Sequence, residues 1–235
     1  RIVLLAVARL GAVAMPANRY KKELVEEDRI HTIVLDKDDG WRSGNLPALR
    51  YLEARILLAS VAEGERLDAQ PVAQGLDEQL WLITHTSGTT GRPKENAHTH
   101  AHGALLASLS PRVNRDDEER VFLFTSLGVE YGITTVMRHL YYGATTVLTQ
   151  STKPEDFFAV VQRDRPTRVV TTTGNASVLV AYAAKALPES LETCASIRSM
   201  MVAGSFASPT LREGIEHRIC SQLQVQYGST ETGVL

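Results

Sequence analysis

The stretch Thr84 to Lys94, THTSGTTGRPK, sets four hydroxyls, on Thr86, Ser87, Thr89 and Thr90, around Gly88, adds Gly91, and closes on Lys94. Small residues let a backbone wrap closely around a guest. Hydroxyls and exposed amides donate hydrogen bonds, and a fixed ammonium neutralises charge. That set of groups suits a polyphosphate. It is not the GxxxxGK[ST] loop, because Lys94 sits three residues after Gly91 and no Ser or Thr comes next. The plain alternative, an ordinary polar loop, fits poorly with so dense a composition set directly after the apolar run Leu80–Ile83.

A second cluster, Tyr227-Gly228-Ser229-Thr230-Glu231-Thr232-Gly233, lies near the end of the chain. Taken alone it reads equally well as a strand-end turn with a capping Thr. Together, in this order and spacing, the two stretches resemble the signatures of the acyl- and aryl-adenylating (AMP-binding) superfamily. That superfamily includes acyl-CoA synthetases, nonribosomal peptide adenylation domains and luciferase. The resemblance runs from Gly11-Ala12-Val13-Ala14-Met15-Pro16 onward. It implies a carboxylate-adenylating ligase of the acid–thiol type. Such an enzyme makes an acyl- or aryl-AMP from ATP with Mg²⁺ and passes the acyl group to CoA or carrier-protein pantetheine.

The resemblance also implies roles. The loop hydroxyls and Lys94 hold the β- and γ-phosphates, and Gly88 and Gly91 let the loop move. Tyr227 stacks on adenine, with Gly228 and Ser229 beside it in the nucleotide loop. Thr230 contacts the α-phosphate and Glu231 holds Mg²⁺, so Lys94, Thr230 and Glu231 are the expected catalytic set. Each residue type suits its role: an aromatic face for a purine, a hydroxyl for a phosphoryl oxygen, a carboxylate for a hard cation. Gly204 and Ser205, ending a strand, border adenine and the acyl pocket, where an ordinary strand-to-loop glycine is the alternative. The segment Phe124–Gly132, FTSLGVEYG, and Thr173-Gly174-Asn175 match pocket-lining segments, with core packing as the equal alternative. Thr125, Val129, Tyr131, Gly174 and Asn175 are the expected substrate contacts.

This sequence departs from the family pattern in two places. Lys94 is followed by Glu95 where the family usually has Gly, so a carboxylate is expected to oppose bound phosphate. The position that anchors an α-amino group carries Thr125 or Val129 rather than Asp, depending on alignment, so an aryl or fatty acid is the expected substrate, unless Glu130 supplies the charge. The family's ribose-binding Asp, hinge and C-terminal domain with its catalytic Lys lie beyond the signatures seen here, so the chain is expected to be an incomplete part of a longer enzyme. The rival functions are a truncated nucleotide-binding module without turnover and an unrelated structural α/β domain.

Other features carry less. His98, His100 and His102 form HTHAH; an extended chain would align them for a metal, but the run is expected to enter a helix and scatter the rings. Asp116–Glu119 reads as a solvated turn. Lys plus Arg number 25 and Asp plus Glu 27, a net charge of −2 without basic clustering, which argues against a nucleic-acid partner. The two cysteines, Cys194 and Cys220, are too few for a disulfide scaffold and fit a cytoplasmic protein. The opening run RIVLLAVARLGAVAM mimics a signal peptide only weakly, is broken by Arg9 and Gly11 and is too short to span a bilayer; a core helix is the preferred reading.

The elements that must position these residues emerge from the sequence pattern. Over 235 residues with 43% hydrophobic content the chain can fill one large or two small cores. Residues 1–77 are expected to form the end of a first α/β subdomain and a linker, and residues 78–235 an ATP-binding α/β subdomain. Strands are expected at 12–15, 31–35, 80–84, 121–125, 145–149, 168–172, 199–203 and 223–227. Helices are expected at 1–10, 21–29, 99–109, 131–142, 154–163, 177–187 and after Ser208, with Leu105, Leu106 and Leu109 facing inward on the third. Residues 41–59 read as irregular chain leading into a helix-like run. Alternating strands and helices predict an α/β fold with a mainly parallel sheet flanked by helices, and ligands then bind beyond the carboxyl ends of its strands.

Overall fold

The structure, a computed structural model, describes Val13, Ala14, Pro16 and residues 32–35, 50–53, 75–86, 94–108, 119–149, 151–186, 190–229 and 233–234. The predicted helices at 1–10 and 21–29, the acidic turn at 116–118 and most of the 63–77 linker lie outside these. The chain divides into two compact units, Arg1–His102 and Gly103–Leu235.

In the first unit, β1 (Thr32–Leu35) pairs in parallel with β2 (Arg50–Glu53). The second strand replaces part of the irregular and helical stretch expected there; RYLE is too short and too mixed for periodicity to reveal a strand. β3 (Leu80–Thr86) pairs antiparallel with β4 (Lys94–Thr99), from Leu80 opposite Thr99 to Thr86 opposite Lys94. Ala14 bridges Leu82 in parallel on the other edge, its amide donating to the Trp81 carbonyl at 2.8 Å. The expected strand at 12–15 is thus a single bridge among the described residues. β4 was not foreseen, because KENAHT lacks the apolar alternation that marks a strand. Thr99 then caps α1 (His100–Ser108), its Oγ1 accepting from the His102 amide at 3.2 Å. On α1 Leu106 is buried, but Leu105 faces outward, 51% exposed, correcting the inward assignment made for it.

The second unit is built on five parallel strands: β5 (Arg120–Phe124), β6 (Thr145–Leu148), β7 (Arg168–Thr172), β8 (Ser199–Ala203) and β9 (Leu223–Val225), in the order β6-β5-β7-β8-β9. Side chains alternate across it. Phe122, Phe124, Val169, Met200 and Val202 face one way, against α3 (Pro154–Asp164), α4 (Thr173–Ala186) and α6 (Pro209–Arg218). Val121, Leu123 and Val170 face the other way, against Val136 of α2 (Glu130–Tyr141). This is the parallel sheet with helices on both faces that strand–helix alternation predicted. The buried Phe157 stacks on Phe122 at 5.4 Å and meets Phe124 edge-on at 5.0 Å; such aromatic pairs contribute about 0.5–1.5 kcal/mol each beyond their burial.

Local signals set the helix ends. Ser208 accepts from the Leu211 amide at 3.2 Å with Pro209 next, and Leu211, Ile215 and Ile219 are buried on one face of α6. Gly143, at φ 75°, comes just after α2. A short helix, α5 (Ser190–Thr193), precedes β8, and a two-residue hairpin, β10 (Gly228–Ser229) with β11 (Gly233–Val234), comes after β9. Cys194 and Cys220 are free and buried, their thiols pushed up to about 12 and about 11 by desolvation first. Among the described residues no helix is long and apolar enough to cross a membrane.

Candidate active site

In a parallel sheet all strands deliver their next residues to one edge. Because β5, β7, β8 and β9 are neighbours, that edge gathers Thr125 after β5, Thr173 to Asn175 after β7, Gly204 to Phe206 after β8, and Gln226 and Tyr227 after β9. Buried hydrogen bonds fix the edge. Thr171 Oγ1 donates to the Phe124 carbonyl at 2.6 Å, and Asn175 Nδ2 donates to the same carbonyl at 2.9 Å. The Thr173 and Ser205 hydroxyls, just past the ends of β7 and β8, bond to each other. The Gln226 amide donates to the Val202 carbonyl at 2.8 Å, holding the chain after β9 alongside β8.

Thr173-Gly174-Asn175, directly after β7, forms the first turn of α4. Thr172 Oγ1 accepts from the Asn175 amide at 3.2 Å, the bond of an N-cap. The helix therefore starts four residues earlier than its apolar pattern suggested, and its positive end lies at the sheet's carboxyl edge, where it favours an anionic group.

Two glycines shape this edge. Gly204 has φ 101°, a conformation that L side chains rarely adopt, and a Cβ there would meet nothing within 4 Å. The exposed backbone can thus be approached closely. Gly132 is the opposite case: a Cβ would lie 2.1 Å from the Ser126 carbonyl oxygen. Only glycine lets α2 start against the turn carrying Thr125–Val129, so Gly132 sets the course of that segment. Within it, Thr125 is half-buried and Val129 is exposed. Tyr131 is half-buried, its hydroxyl enclosed and its ionisation pushed up by desolvation. Glu130 is buried at the first turn of α2.

Tyr227 is 78% exposed at the end of β9, and Phe206 is 81% exposed after β8. Phe206 was missed in the sequence; the available signal was an aromatic directly after Gly204-Ser205 at a strand end. Gly228 and Ser229 are exposed in β10. Thr230 and Glu231 lie outside the described residues.

The hairpin of the first unit holds the other expected residues. Thr86 ends β3 and Lys94 opens β4 directly opposite, Lys94 being exposed. Ser87, Gly88, Thr89, Thr90 and Gly91 lie outside the described residues. The strand pleat sends Lys94, Asn96 and His98 to one face and Glu95 to the other. There Glu95 stands opposite His85, their Oε1 and Nε2 atoms 3.9 Å apart. Glu95 therefore lies on the face of β4 opposite to Lys94. Thr84 Oγ1 and Asn96 Nδ2 lie 3.2 and 3.3 Å from His98 Nε2. His98 and His102 do not scatter: the first ends the buried face of β4, the second lies in α1, and their ring centroids are 5.4 Å apart. Desolvation, and then the neighbouring His102, lower the His98 pKa.

The sequence model of the AMP-binding enzyme family matches residues 2–235. The 2-succinylbenzoate–CoA ligase of Arabidopsis thaliana is 25% identical over 97% of this chain and 45% of its own length. That of Bacillus mycoides is 26% identical over 98% of this chain and 46% of its own. The chain thus spans about half the length of the curated relatives it matches. Among solved structures, the N-terminal subdomain of Klebsiella oxytoca NpsA in complex with 3-hydroxyanthranilyl-AMSN superposes with a TM-score of 0.77 at 21% identity, covering 99% of this chain and 58% of that one. This likeness shows the fold to be that of an N-terminal domain of an adenylating enzyme. With the family model matched along essentially its whole length, the chain belongs to the AMP-binding enzyme family.

Proposed function

We propose that the protein carrying this chain activates a carboxylic acid as its adenylate. A carboxylate oxygen bonds to the α-phosphorus of ATP, the bond from that phosphorus to the pyrophosphate oxygen breaks, and pyrophosphate leaves. A thiol of CoA or of carrier-protein pantetheine then takes the acyl group, losing its proton as AMP departs. The observation that carries the reading is the pairing of Gly204 with Tyr227 at adjacent strand ends. One offers open backbone at positive φ, the other an aromatic face 78% exposed. A purine would use a flat apolar platform and close backbone approach, and these two residues support the reading on those grounds.

On this reading Lys94 and the hydroxyls of Thr86, Ser87, Thr89 and Thr90 bind the β- and γ-phosphates, and Thr230 the α-phosphate. The Glu231 carboxylate is the hard oxygen donor that Mg²⁺ takes, and the bound ion supplies charge screening on the phosphates. The acid's apolar body meets Thr125, Val129 and Tyr131 and the Gly174–Asn175 turn. An aryl or fatty acid is the proposed class: no Asp stands at Thr125 or Val129, and the relatives named above are ligases of an aryl acid. The buried Glu130 is the carboxylate in this segment able to favour an amino acid instead. A Glu95 carboxylate set against the phosphates would favour the rival, nucleotide binding without turnover; on β4 it faces His85 instead.

The test is ATP–pyrophosphate exchange with a panel of aryl, fatty and amino acids, on protein expressed from the full reading frame. Exchange with aryl or fatty acids supports the reading. Strong exchange with an amino acid, abolished by Glu130→Gln, reassigns the substrate, and no exchange with any acid beside ATP-dependent thermal stabilisation leaves the rival standing.

A further inference from the structure

The opposite end of the five-stranded sheet holds a feature that the proposed activity does not use. A cavity of about 360 Å³ opens at the amino ends of the strands, a volume in the range of small-molecule sites. Its chemistry comes from Arg168, Arg198, Glu119, Ser199 and Ser221. Strand order dictates this grouping. Arg168 opens β7, Arg198 and Ser199 open β8, Ser221 precedes β9 and Glu119 precedes β5, and these four strands are neighbours. Five residues of β7 separate this end from the candidate active site, about 15 Å at the rise of an extended strand.

We propose that this cavity is a second binding site, for a small hydrophilic oxyanion carrying a carboxylate or phosphate group. Arg168 is held in place, its Nε donating to Glu119 Oε1 at 2.8 Å, with both side chains largely buried. The lining thus brings two guanidiniums, Arg168 and the exposed Arg198, to one carboxylate, Glu119. The Ser199 and Ser221 hydroxyls add donors for oxyanion oxygens. The Thr167 carbonyl accepts from the Arg198 amide at 2.7 Å, which fixes the backbone from which the Arg198 side chain extends. A guanidinium preset by a carboxylate loses little freedom on meeting an anion. Nothing in this reading depends on nucleotide binding at the other end.

The experiment titrates inorganic phosphate and, separately, malonate into the protein while recording backbone amide shifts. Saturable movement of the Arg198, Ser199, Ser221 and Gln222 signals by either anion supports the site, and whichever binds more tightly identifies the favoured group. Arg198→Glu and Ser221→Glu, both at exposed positions, should each weaken binding at least tenfold, whereas Arg198→Lys and Lys94→Ala should stay within threefold of the parent. No saturable movement with either anion overturns the proposal, as does equal binding by Arg198→Glu and the parent. Movement that disappears in Lys94→Ala also overturns it, by assigning the anion to the nucleotide loop.

Discussion

The β3–β4 hairpin and the five-stranded sheet carry their expected functional residues in opposite ways. On β4 the side chains are Lys, Glu, Asn, Ala, His and Thr, and most are exposed or half-exposed. In the sheet the three central strands, β5, β7 and β8, are almost wholly buried, and the residues expected to do chemistry lie just past their ends. The hairpin thus places chemistry on the strand itself, and the sheet places it on the turns just past each strand. An exposed residue contributes little packing, so its replacement should alter function without altering stability. A residue gripping a strand end should alter both.

Lys94→Ala is the largest expected effect and the sharpest test of that contrast. Removing a fixed cation from developing phosphate charge typically costs about 100-fold or more in rate. Exchange activity should fall by about that factor while the melting temperature stays within a degree or so. A large stability loss would show that the hairpin is part of a core and break the distinction.

His139, on α2 under the sheet, should show the reverse: stability without activity. Burial first, then Arg138 and Arg168, lower its pKa to about 4. The unfolded chain takes up the proton near pH 6.5 and the folded chain only near 4, so stability falls as the pH drops from 6.5 towards 4 and levels off below. At 1.36 kcal/mol per unit the loss is up to about 3 kcal/mol. His139→Asn should flatten that slope in denaturant titrations at pH 7 and pH 5; an unchanged slope assigns it to other groups.

Gly132→Ala tests a residue that grips a strand end. Its new Cβ would lie 2.1 Å from the Ser126 carbonyl, and backbone cannot yield cheaply. Overpacking of this kind costs roughly 1–3 kcal/mol. Urea melts should register that loss, and exchange should fall with it because the Thr125–Tyr131 segment is displaced. A loss of stability with unaltered acid preference would separate this segment from the acyl pocket.

Legibility divided along the same line. The sheet was readable because each buried strand is a compact apolar run bounded by turn residues; β7 and β8 were predicted residue for residue. Helix α6 was readable from Ser208-Pro209 and the spacing of Leu211, Ile215 and Ile219. The hairpin's second strand was not, since exposed strands carry no apolar period and β4 owes its form to pairing with β3. The early start of α4 was hidden because Thr173 and Gly174 present no helical pattern; only Thr172, as a cap, announced it. Phe206 follows Gly204-Ser205 at a strand end, which marks its place in the sequence, but its 81% exposure is visible only in the fold. The chemistry of Lys94 and Tyr227 was visible as residue type, but the facing of Glu95 needed the strand register.

That register decides the smallest effect. Read as a loop residue beside Lys94, Glu95 would repel bound phosphate, and Glu95→Gly would tighten ATP binding. On β4 the alternation turns it from the face of Lys94, and it lies 3.9 Å from His85 across the hairpin. The His85 side chain is largely buried and that of Glu95 exposed, so the carboxylate acts on this face of the hairpin and not on the face of Lys94. Its removal should therefore leave ATP affinity within about twofold, measured by calorimetric titration. The same substitution puts glycine into a paired strand, where lost packing and added chain entropy cost a few tenths to about 1 kcal/mol. Glu95→Gln keeps the strand propensity and removes only the charge, so it isolates the electrostatic term. If Glu95→Gln tightens ATP binding tenfold, the carboxylate does reach the phosphates, and the contrast between the two faces of β4 fails.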